Sequence, residues 1–408
     1  MSPPVYHQFL VSRDLGGAGI VALHLAKSLA AAGREAPVWA PGPGAAWDEA
    51  ERLGLTVHSY DLQSALSPSA LAAARANWGV WRGLRAGGPG LAHVHSPGAY
   101  GAMRHSLGFS GLRCVAHVQI EEEPALLRWA FASPPDLIIT CAHFLVGPVR
   151  QALPEHRRER QRIAAVPNAV DTAKFAPGDK AEARRKVGAP AGAPLALMLA
   201  NLAPHKGQET AIRAVAALKA RGVEAHLWLA GTERGGAGAY TARLRALAGE
   251  AGAADRVHLL GQCRDTPDLL RAADFFLLPS TCEGLPLSVL EAQAAKVPVL
   301  AAPTAGVPEV VRDGATGFLI PADDAAGYAT RMEQLLADRA LARRVTEAAY
   351  RDVTREHNWP AYCQRVAELY DEILEGGAAR DGARAPGARR RPLSAAGPEP
   401  CRAGGPAR

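Results

Sequence analysis

The sequence has no long hydrophobic run. None of its 408 residues belongs to a stretch that approaches the roughly 20 apolar residues of a membrane-spanning helix. The first residues, MSPPVYHQFLVSRD, also lack the basic and apolar segments of a secretory signal. We therefore expect a cytoplasmic protein, whose contact with the inner face of a membrane would be peripheral.

Cysteine is scarce as well. The 6 cysteines form no C-x-x-C pair and no Cys/His set with the spacing of metal ligands. This excludes a disulfide framework and a cysteine-based zinc site. We expect reduced thiols and no bound metal.

Most of the chain lacks an excess of charge of either sign. The net charge is +6, but residues 376–408 alone carry seven arginines against two carboxylates. We therefore expect no nucleic-acid partner for the body of the protein. The tail is rich in Ala, Gly, Pro and Arg, so we predict that it is disordered. Its Arg389, Arg390 and Arg391 could contact anionic lipid or nucleic acid, although a solvated extension is the simpler interpretation.

The chain does contain a regular alternation of short apolar runs and amphipathic stretches, over a length that predicts two domains. Such alternation is typical of βαβ units and parallel sheets. We predict an α/β fold of two doubly wound, Rossmann-like domains, residues 1–170 and 171–360, then a closing helix, 361–375, and the tail, 376–408. The predicted strands are residues 5–11, 37–40, 91–95, 114–119 and 137–140, followed by 195–200, 226–230, 257–260, 275–278 and 297–301.

A glycine-rich loop follows the first predicted strand. Gly17, Gly19 and Ala22 fit the G-x-G-x-x-A pattern of dinucleotide sites, and Gly16 precedes them. The acidic residue that should hold a ribose about 20 residues later is missing, since the second strand ends in Ala40. This argues against a nicotinamide enzyme. The loop is then either a plain tight turn or a place where helix amides meet an anion.

A second candidate site surrounds two carboxylates, Glu283 and Glu291, in the segment EGLPLSVLE. They flank a predicted helix start, where the amides of Gly284 and Leu285 can face a phosphate. The carboxylates can accept hydrogen bonds from sugar and ribose hydroxyls. Other post-strand loops offer Asn201, Lys206 and Gly231 as candidates, although each alone is equally consistent with a solvated or structural loop.

These segments together resemble the family 4 glycosyltransferases, whose two-domain fold is called GT-B. The most specific part is E-x7-E, from Glu283 to Glu291, and the likeness extends over residues 5–375. It is supported by VPNAVD at 166–171, KG at 206–207, GVPEVV at 306–311 and GATGFL at 314–319.

The resemblance implies transfer of a sugar from a nucleotide-diphosphate donor with retention of configuration. It implies no catalytic metal, in agreement with the lack of any D-x-D motif, and no cofactor besides the co-substrate. The donor would lie between the domains, with Lys206 on the diphosphate, Glu283 on the sugar and Glu291 on the ribose. The loop of residues 16–19 would close over the phosphate and the acceptor side.

Two positions depart from the family pattern. The family usually has an arginine shortly before the site lysine, where this chain has Asn201. It also tends to have a histidine at the end of a first-domain strand, where the closest register gives Gln119, with His117 two residues earlier. We predict roles for both, the alternative for His117 being an ordinary sheet histidine.

The leading hypothesis is a retaining glycosyltransferase of polysaccharide, glycolipid or cell-envelope assembly, with a saccharide or lipid-linked acceptor. The alternatives are a GT-B nucleotide-sugar epimerase and a nucleotide-sugar binding protein of weak activity. The apolar residues 125–131 could line an acceptor site or touch a membrane, but a buried helix face is the simpler interpretation.

Overall fold

A computed structural model describes residues 3–190, 192–233, 238–263 and 265–381. In the first domain a seven-stranded parallel sheet has the order β3-β2-β1-β4-β5-β6-β7. Its elements are β1 Val5–Phe9, α1 Gly17–Ala31, β2 Val38–Ala40, α2 Ala45–Arg52, β3 Val57–Ser59, α3 Leu62–Ala65, α4 Ala70–Ala86, β4 Gly90–Val94, α5 Pro97–Ser110, β5 Arg113–Val118, α6 Pro124–Ala130, β6 Leu137–Thr140, α7 Val146–Ala152 and β7 Ile163–Ala165.

The second domain has a six-stranded parallel sheet of order β10-β9-β8-β11-β12-β13. Its elements are α8 Lys180–Val187, β8 Leu195–Leu199, α9 Gln208–Ala220, β9 His226–Ala230, α10 Ala239–Glu250, β10 Val257–Gly261, α11 Thr266–Ala272, β11 Phe275–Leu278, α12 Leu287–Ala294, β12 Val299–Ala301, α13 Val307–Val310, β13 Phe318–Leu319, α14 Ala325–Ala337 and α15 Arg339–Glu356; the closing helix is α16 Trp359–Asp381. The predicted pair of doubly wound α/β domains is confirmed.

Each sheet reverses its strand order at one point, between β1 and β4 in the first domain and between β8 and β11 in the second. The loops that leave the two strands on either side of such a point diverge and open a crevice. Ligands of open α/β sheets bind in this crevice. The fold therefore offers one crevice in each domain.

The closing helix α16 returns to the first domain. Its Val366 and Tyr370 are buried in that domain's core, together with residues of α1 and β4. Arg34 donates two hydrogen bonds to the Asp371 carboxylate, at 2.7 and 2.8 Å. The helix is longer than predicted and includes residues 376–381, for which the composition of the tail predicts disorder. Residues 382–408, and with them the rest of that tail, lie outside the described residues.

None of the helices in the described ranges combines the length and the apolar character needed to cross a bilayer. Five cysteines lie in the described ranges, and each has a free thiol there. Residues 125–131 form most of α6, whose Leu127 and Ala130 are buried, and Phe131 after the helix is buried too. The interpretation of this stretch as a buried helix face is thus correct for its inner side.

Two tyrosines of α16 provide a test of how this helix is fixed. The Tyr370 hydroxyl contacts His93 Nδ1 at 2.5 Å and accepts a hydrogen bond from Gln8 Nε2 at 3.4 Å. The buried Tyr362 hydroxyl has no hydrogen-bond partner among the described residues. We expect Tyr370→Phe to lower the free energy of unfolding by about 1–3 kcal/mol, because it leaves buried polar groups unpaired.

Tyr362→Phe is the matched control and should leave stability unchanged or slightly raised. Denaturant unfolding of both variants measures the difference. Equal losses would contradict the assigned role of the Tyr370 hydroxyl.

Candidate active site

The candidate residues converge on the two crevices. In the first domain, Gly16 and Gly17 follow β1; in the second, Lys206 follows β8 and Glu283 follows β11. The two crevices face each other, since Gly17 at the start of α1 lies opposite Leu287 at the start of α12. The structure thus brings the glycine loop to the same cleft as the E-x7-E segment.

The centre of the second-domain crevice is an ion pair. Lys206 Nζ lies 2.9 Å from Glu283 Oε1. The two side chains are only 19% and 8% exposed, so the pair is mostly shielded from water. The two opposite charges of this pair balance each other. It also presents one cation and one carboxylate side by side, as a phosphate and a sugar hydroxyl would require.

Gly207 explains how Lys206 reaches Glu283. Its φ is +74°, which favours glycine, and a Cβ there would overlap the carbonyl oxygen of Pro279. The amide of Thr281 also donates to the His205 carbonyl at 2.8 Å. The turn after β8 is therefore held against the turn after β11, and the lysine and the glutamate meet.

The residue after Glu283 joins the two domains. Gly284 forms an antiparallel bridge with Ile120, and its Cα lies so close to the Gln119 carbonyl that a Cβ would overlap it. The Gly284 carbonyl accepts a hydrogen bond from Gly306 at 2.9 Å. Leu285, which is buried, accepts one from Asn168 Nδ2 at 2.9 Å. This peptide is a contact between domains here, and a role of its amides on a phosphate stays a prediction.

Glu291 lies in the second turn of α12 and is partly exposed. Desolvation raises the pKa of this carboxyl to about 7, although the positive charge of Lys174 opposes the shift. Near neutral pH the group therefore changes between an acceptor-only carboxylate and a neutral acid that can also donate.

The start of α1 presents free helix amides to the cleft. Gly16 is its N-cap, and among the described residues no side chain caps the helix. A Cβ at Gly17 or Gly19 would make only ordinary contacts with leucine side chains. Packing does not require glycine at these two positions, which favours the interpretation that the loop needs glycine for a ligand.

Gly231 has a structural reason to be glycine. Its φ is +148°, and a Cβ there would overlap the carbonyl oxygen of Ala200. Its amide donates to Gly261 at 2.7 Å. Asn201, in the neighbouring turn, accepts a hydrogen bond from Gln208 Nε2 on its main-chain oxygen at 2.9 Å. Residues 234–237, which follow in the same loop after Gly231, lie outside the described residues.

The structure places His117 inside the first domain, with no exposed surface. Gln119 is partly exposed, and its Nε2 lies 3.4 Å from both His117 Nδ1 and His95 Nδ1. Gln119 therefore lies nearer the cleft, with the imidazoles behind it. The burial of His117 favours the alternative of an ordinary sheet histidine.

Three buried imidazoles, those of His93, His95 and His117, have nitrogens within 4.8 Å of one another. The rings of His93 and His95 are stacked with their centroids 4.0 Å apart. Those of His93 and His117 are stacked with their centroids 5.3 Å apart. The rings of His95 and His117 are tilted by 41°, with their centroids 5.5 Å apart. The three imidazoles thus pack against one another inside the first domain.

Glu309 is a residue of the site region for which the sequence predicts no role. Its carboxylate accepts hydrogen bonds from the amides of His143 and Phe144, at 2.9 and 2.8 Å. A second-domain side chain thus caps a short 3-10 helix of the first domain, His143–Leu145. Because the partners are main-chain amides far away in sequence, no side-chain motif could have revealed this contact.

Two family models match the chain. The model described as "Glycosyltransferase Family 4" matches residues 15–174, and "Glycosyl transferases group 1" matches residues 179–352. The D-inositol 3-phosphate glycosyltransferase of Acidothermus cellulolyticus is 35% identical over 55% of this chain and 51% of its own length. That of Streptomyces bingchenggensis is 27% identical over 89% and 86%. The chain thus matches only about half the length of the first of these relatives.

Solved structures share the fold of both domains. Anabaena HepE in complex with UDP-glucose has a TM-score of 0.78 at 20% identity, over 90% of this chain and 99% of its own. The sucrose-phosphate synthase of Thermosynechococcus elongatus has a TM-score of 0.75 at 21% identity, over 92% and 100%. At these identities the likeness establishes the two-domain GT-B architecture.

The buried imidazoles predict how stability depends on pH. Burial lowers the pKa of His117 to about 3, whereas the unfolded chain takes up the proton near pH 6.5. Below pH 6.5 the unfolded state therefore binds more protons than the folded state does. The free energy of unfolding decreases as the pH is lowered. By pH 5 the loss is about 2 kcal/mol for this one group.

The free energy of unfolding decreases between pH 7 and pH 5, and we expect His117→Gln to make this decrease smaller by about 2 kcal/mol. This holds whatever the effect of the substitution on stability at pH 7. Urea unfolding at several pH values measures both slopes. An unchanged slope in the variant would show that His117 is not buried in its neutral form.

Proposed function

Since the chain belongs to the family 4, or group 1, glycosyltransferases, we propose that it transfers a glycosyl group from a nucleoside-diphosphate sugar to a hydroxyl acceptor. The proposal includes retention of configuration and the use of neither a catalytic metal nor a cofactor. We place the reaction in the cytoplasm, in polysaccharide, glycolipid or cell-envelope assembly, with a saccharide or lipid-linked acceptor.

The observation that carries this proposal is the shielded pair of Lys206 and Glu283, 2.9 Å apart. When the donor binds, the diphosphate takes over Lys206 and a sugar hydroxyl donates to Glu283. Developing negative charge on the departing diphosphate is then stabilised by the ammonium group. The free amides at the start of α1 add partial positive charge from the opposite side of the cleft.

The acceptor hydroxyl attacks the anomeric carbon from the face that the leaving diphosphate occupies, as the sugar gains oxocarbenium character. The new bond joins the acceptor oxygen to that carbon, the bond from that carbon to the diphosphate oxygen breaks, and the acceptor's proton passes to that departing oxygen on the same face. Closure of the domains excludes water, which limits hydrolysis of the donor. The names of the relatives make inositol phosphate one acceptor to try, and the ligands of HepE make UDP-glucose the first donor.

Glu283→Gln tests the reaction itself. We expect a loss of transfer of at least about 100-fold, with the fold retained, because the amide can still meet Lys206 but carries no charge for the donor sugar. Product formation with a panel of donors and acceptors provides the measurement.

Glu347→Gln is a matched control. It removes the same charge from another lysine–glutamate pair of the second domain, Lys296 with Glu347 at 2.7 Å. Retained turnover in Glu283→Gln would overturn the assigned role.

The same assays on the unaltered chain distinguish the two alternative functions. Consumption of the donor without an acceptor would indicate an epimerase. Donor binding without any turnover would indicate a binding protein.

Glu291 predicts how donor binding depends on pH. With a pKa of about 7, the carboxyl is mostly ionised at pH 8 and mostly protonated at pH 6. Only the ionised form accepts hydrogen bonds from both ribose hydroxyls. We expect the affinity for a nucleoside-diphosphate sugar, whose doubly esterified diphosphate does not titrate in this range, to be about tenfold lower at pH 6 than at pH 8.

Thermal shifts with UDP, GDP, ADP and their sugar conjugates first identify the base, because a ligand at 100 times its dissociation constant stabilises by about 2.7 kcal/mol. Glu291→Gln should weaken binding and abolish the pH dependence. Glu250→Gln, at the exposed end of α10, is the control. A pH dependence that persists in Glu291→Gln would place the titrating group elsewhere.

A further inference from the structure

The outer side of α4 is unusual for a surface helix, because its exposed residues combine arginine with large apolar groups. Leu71 is 64% exposed and Trp78 is 62% exposed. Arg75, Arg82 and Arg85 are exposed as well. Their spacing of four, three, four and three residues places all five on one stripe of the helix. The opposite side of α4 buries Val80 and Leu84 in the core.

The apolar part of this stripe continues onto α5. Phe109 near the end of that helix is 76% exposed, the largest value of any large apolar side chain in the described part of the chain. Trp81 Nε1 donates to the Phe109 carbonyl at 3.2 Å. The Trp81 ring also stacks on Trp78, with the ring centroids 4.7 Å apart. The Arg85 guanidinium lies over the Trp81 ring, 5.6 Å from its centroid. We call this set the α4 face: Leu71, Arg75, Trp78, Trp81, Arg82, Arg85 and Phe109.

The charge of the α4 face is positive and uncompensated. Residues 62–120 contain five arginines and not one aspartate or glutamate. Arg113 and Arg104 are engaged elsewhere, with Asp136 and Trp129. No ion pair joins Arg75, Arg82 or Arg85 to a carboxylate within the described residues. The face is thus basic and apolar together.

We propose that the α4 face docks on an anionic lipid surface. Trp side chains are enriched at the level of lipid headgroups, and arginines near such a surface are attracted by its negative potential. Two copies of this face would bring six arginines together without a carboxylate, which disfavours self-association. A stripe on the outside of a helix also provides no groove to follow a nucleic-acid strand.

The α4 face extends along the first domain from the cleft end to the opposite end. A helix that leads into a parallel strand runs antiparallel to it, so the first residues of α4 lie toward the strand ends that form the cleft. The last residues, with Arg85, lie at the other end of the strands. The proposal does not depend on the proposed transferase activity, because lipid binding is measured without any substrate.

Vesicle sedimentation of the full-length chain tests the proposal. We expect binding to vesicles of phosphatidylcholine with 30% phosphatidylglycerol, chosen as probes, and none to pure phosphatidylcholine. The affinity should fall as salt rises. The triple variant Arg75→Ser, Arg82→Ser, Arg85→Ser should bind about 100-fold more weakly, and Trp78→Ser should lose binding at constant charge. All these side chains are exposed, so thermal unfolding should be unchanged.

Two controls remove equal charge elsewhere. One replaces the exposed Arg339, Arg343 and Arg344 of α15 by serine, and the other replaces Arg389, Arg390 and Arg391 of the tail. Both should bind as the unaltered chain does. Unchanged binding in the α4 triple variant, or a loss only in the tail variant, would overturn the proposal. A dimer that Trp78→Ser dissociates, without any vesicle binding, would overturn it too.

Discussion

The pair of Lys206 and Glu283, which is mostly shielded from water, is the interaction on which the site depends. Taking a lone lysine or a lone glutamate away from water is expensive, and each offsets the cost for the other. The pair forms only because the turns after β8 and β11 touch, which requires glycine at position 207. Those turns meet because β8 and β11 are neighbours at the point where the strand order reverses. Sheet topology, one glycine and one ion pair therefore form a single chain of causes.

The same segment connects the site to the domain junction. Glu283 precedes Gly284, which lies against the Gln119 carbonyl of the first domain. Glu309 and Asn168 add charge-assisted and amide hydrogen bonds across the same junction. A movement of one domain against the other must shift the peptide next to Glu283. The proposed donor site and domain closure are thus mechanically linked. The sequence alone does not predict this link.

Much of the fold could be predicted because the buried strands are short, continuous apolar runs. β6, β9 and β11 have the predicted bounds. The strands β3, β7 and β13 were not predicted, since they are only two or three residues long and lie at or beside sheet edges. Val57–Ser59 is also half exposed or exposed, so it carries no apolar signal. The prediction of a disordered tail is wrong for residues 376–381, because α16 extends to Asp381.

Contacts that depend on register could not be predicted. The imidazoles of His93 and His117 meet only because β4 pairs with β5 in one particular register, and Glu309 binds main-chain amides. By contrast, Glu283, Lys206 and Gly17 follow the ends of predicted strands, and parallel strands bring such ends to one edge. The family pattern expected from the sequence has an arginine where this chain has Asn201. In the proposed reaction, a diphosphate of two charges therefore meets one ammonium group, and the amides at the start of α1 must supply the remaining stabilisation.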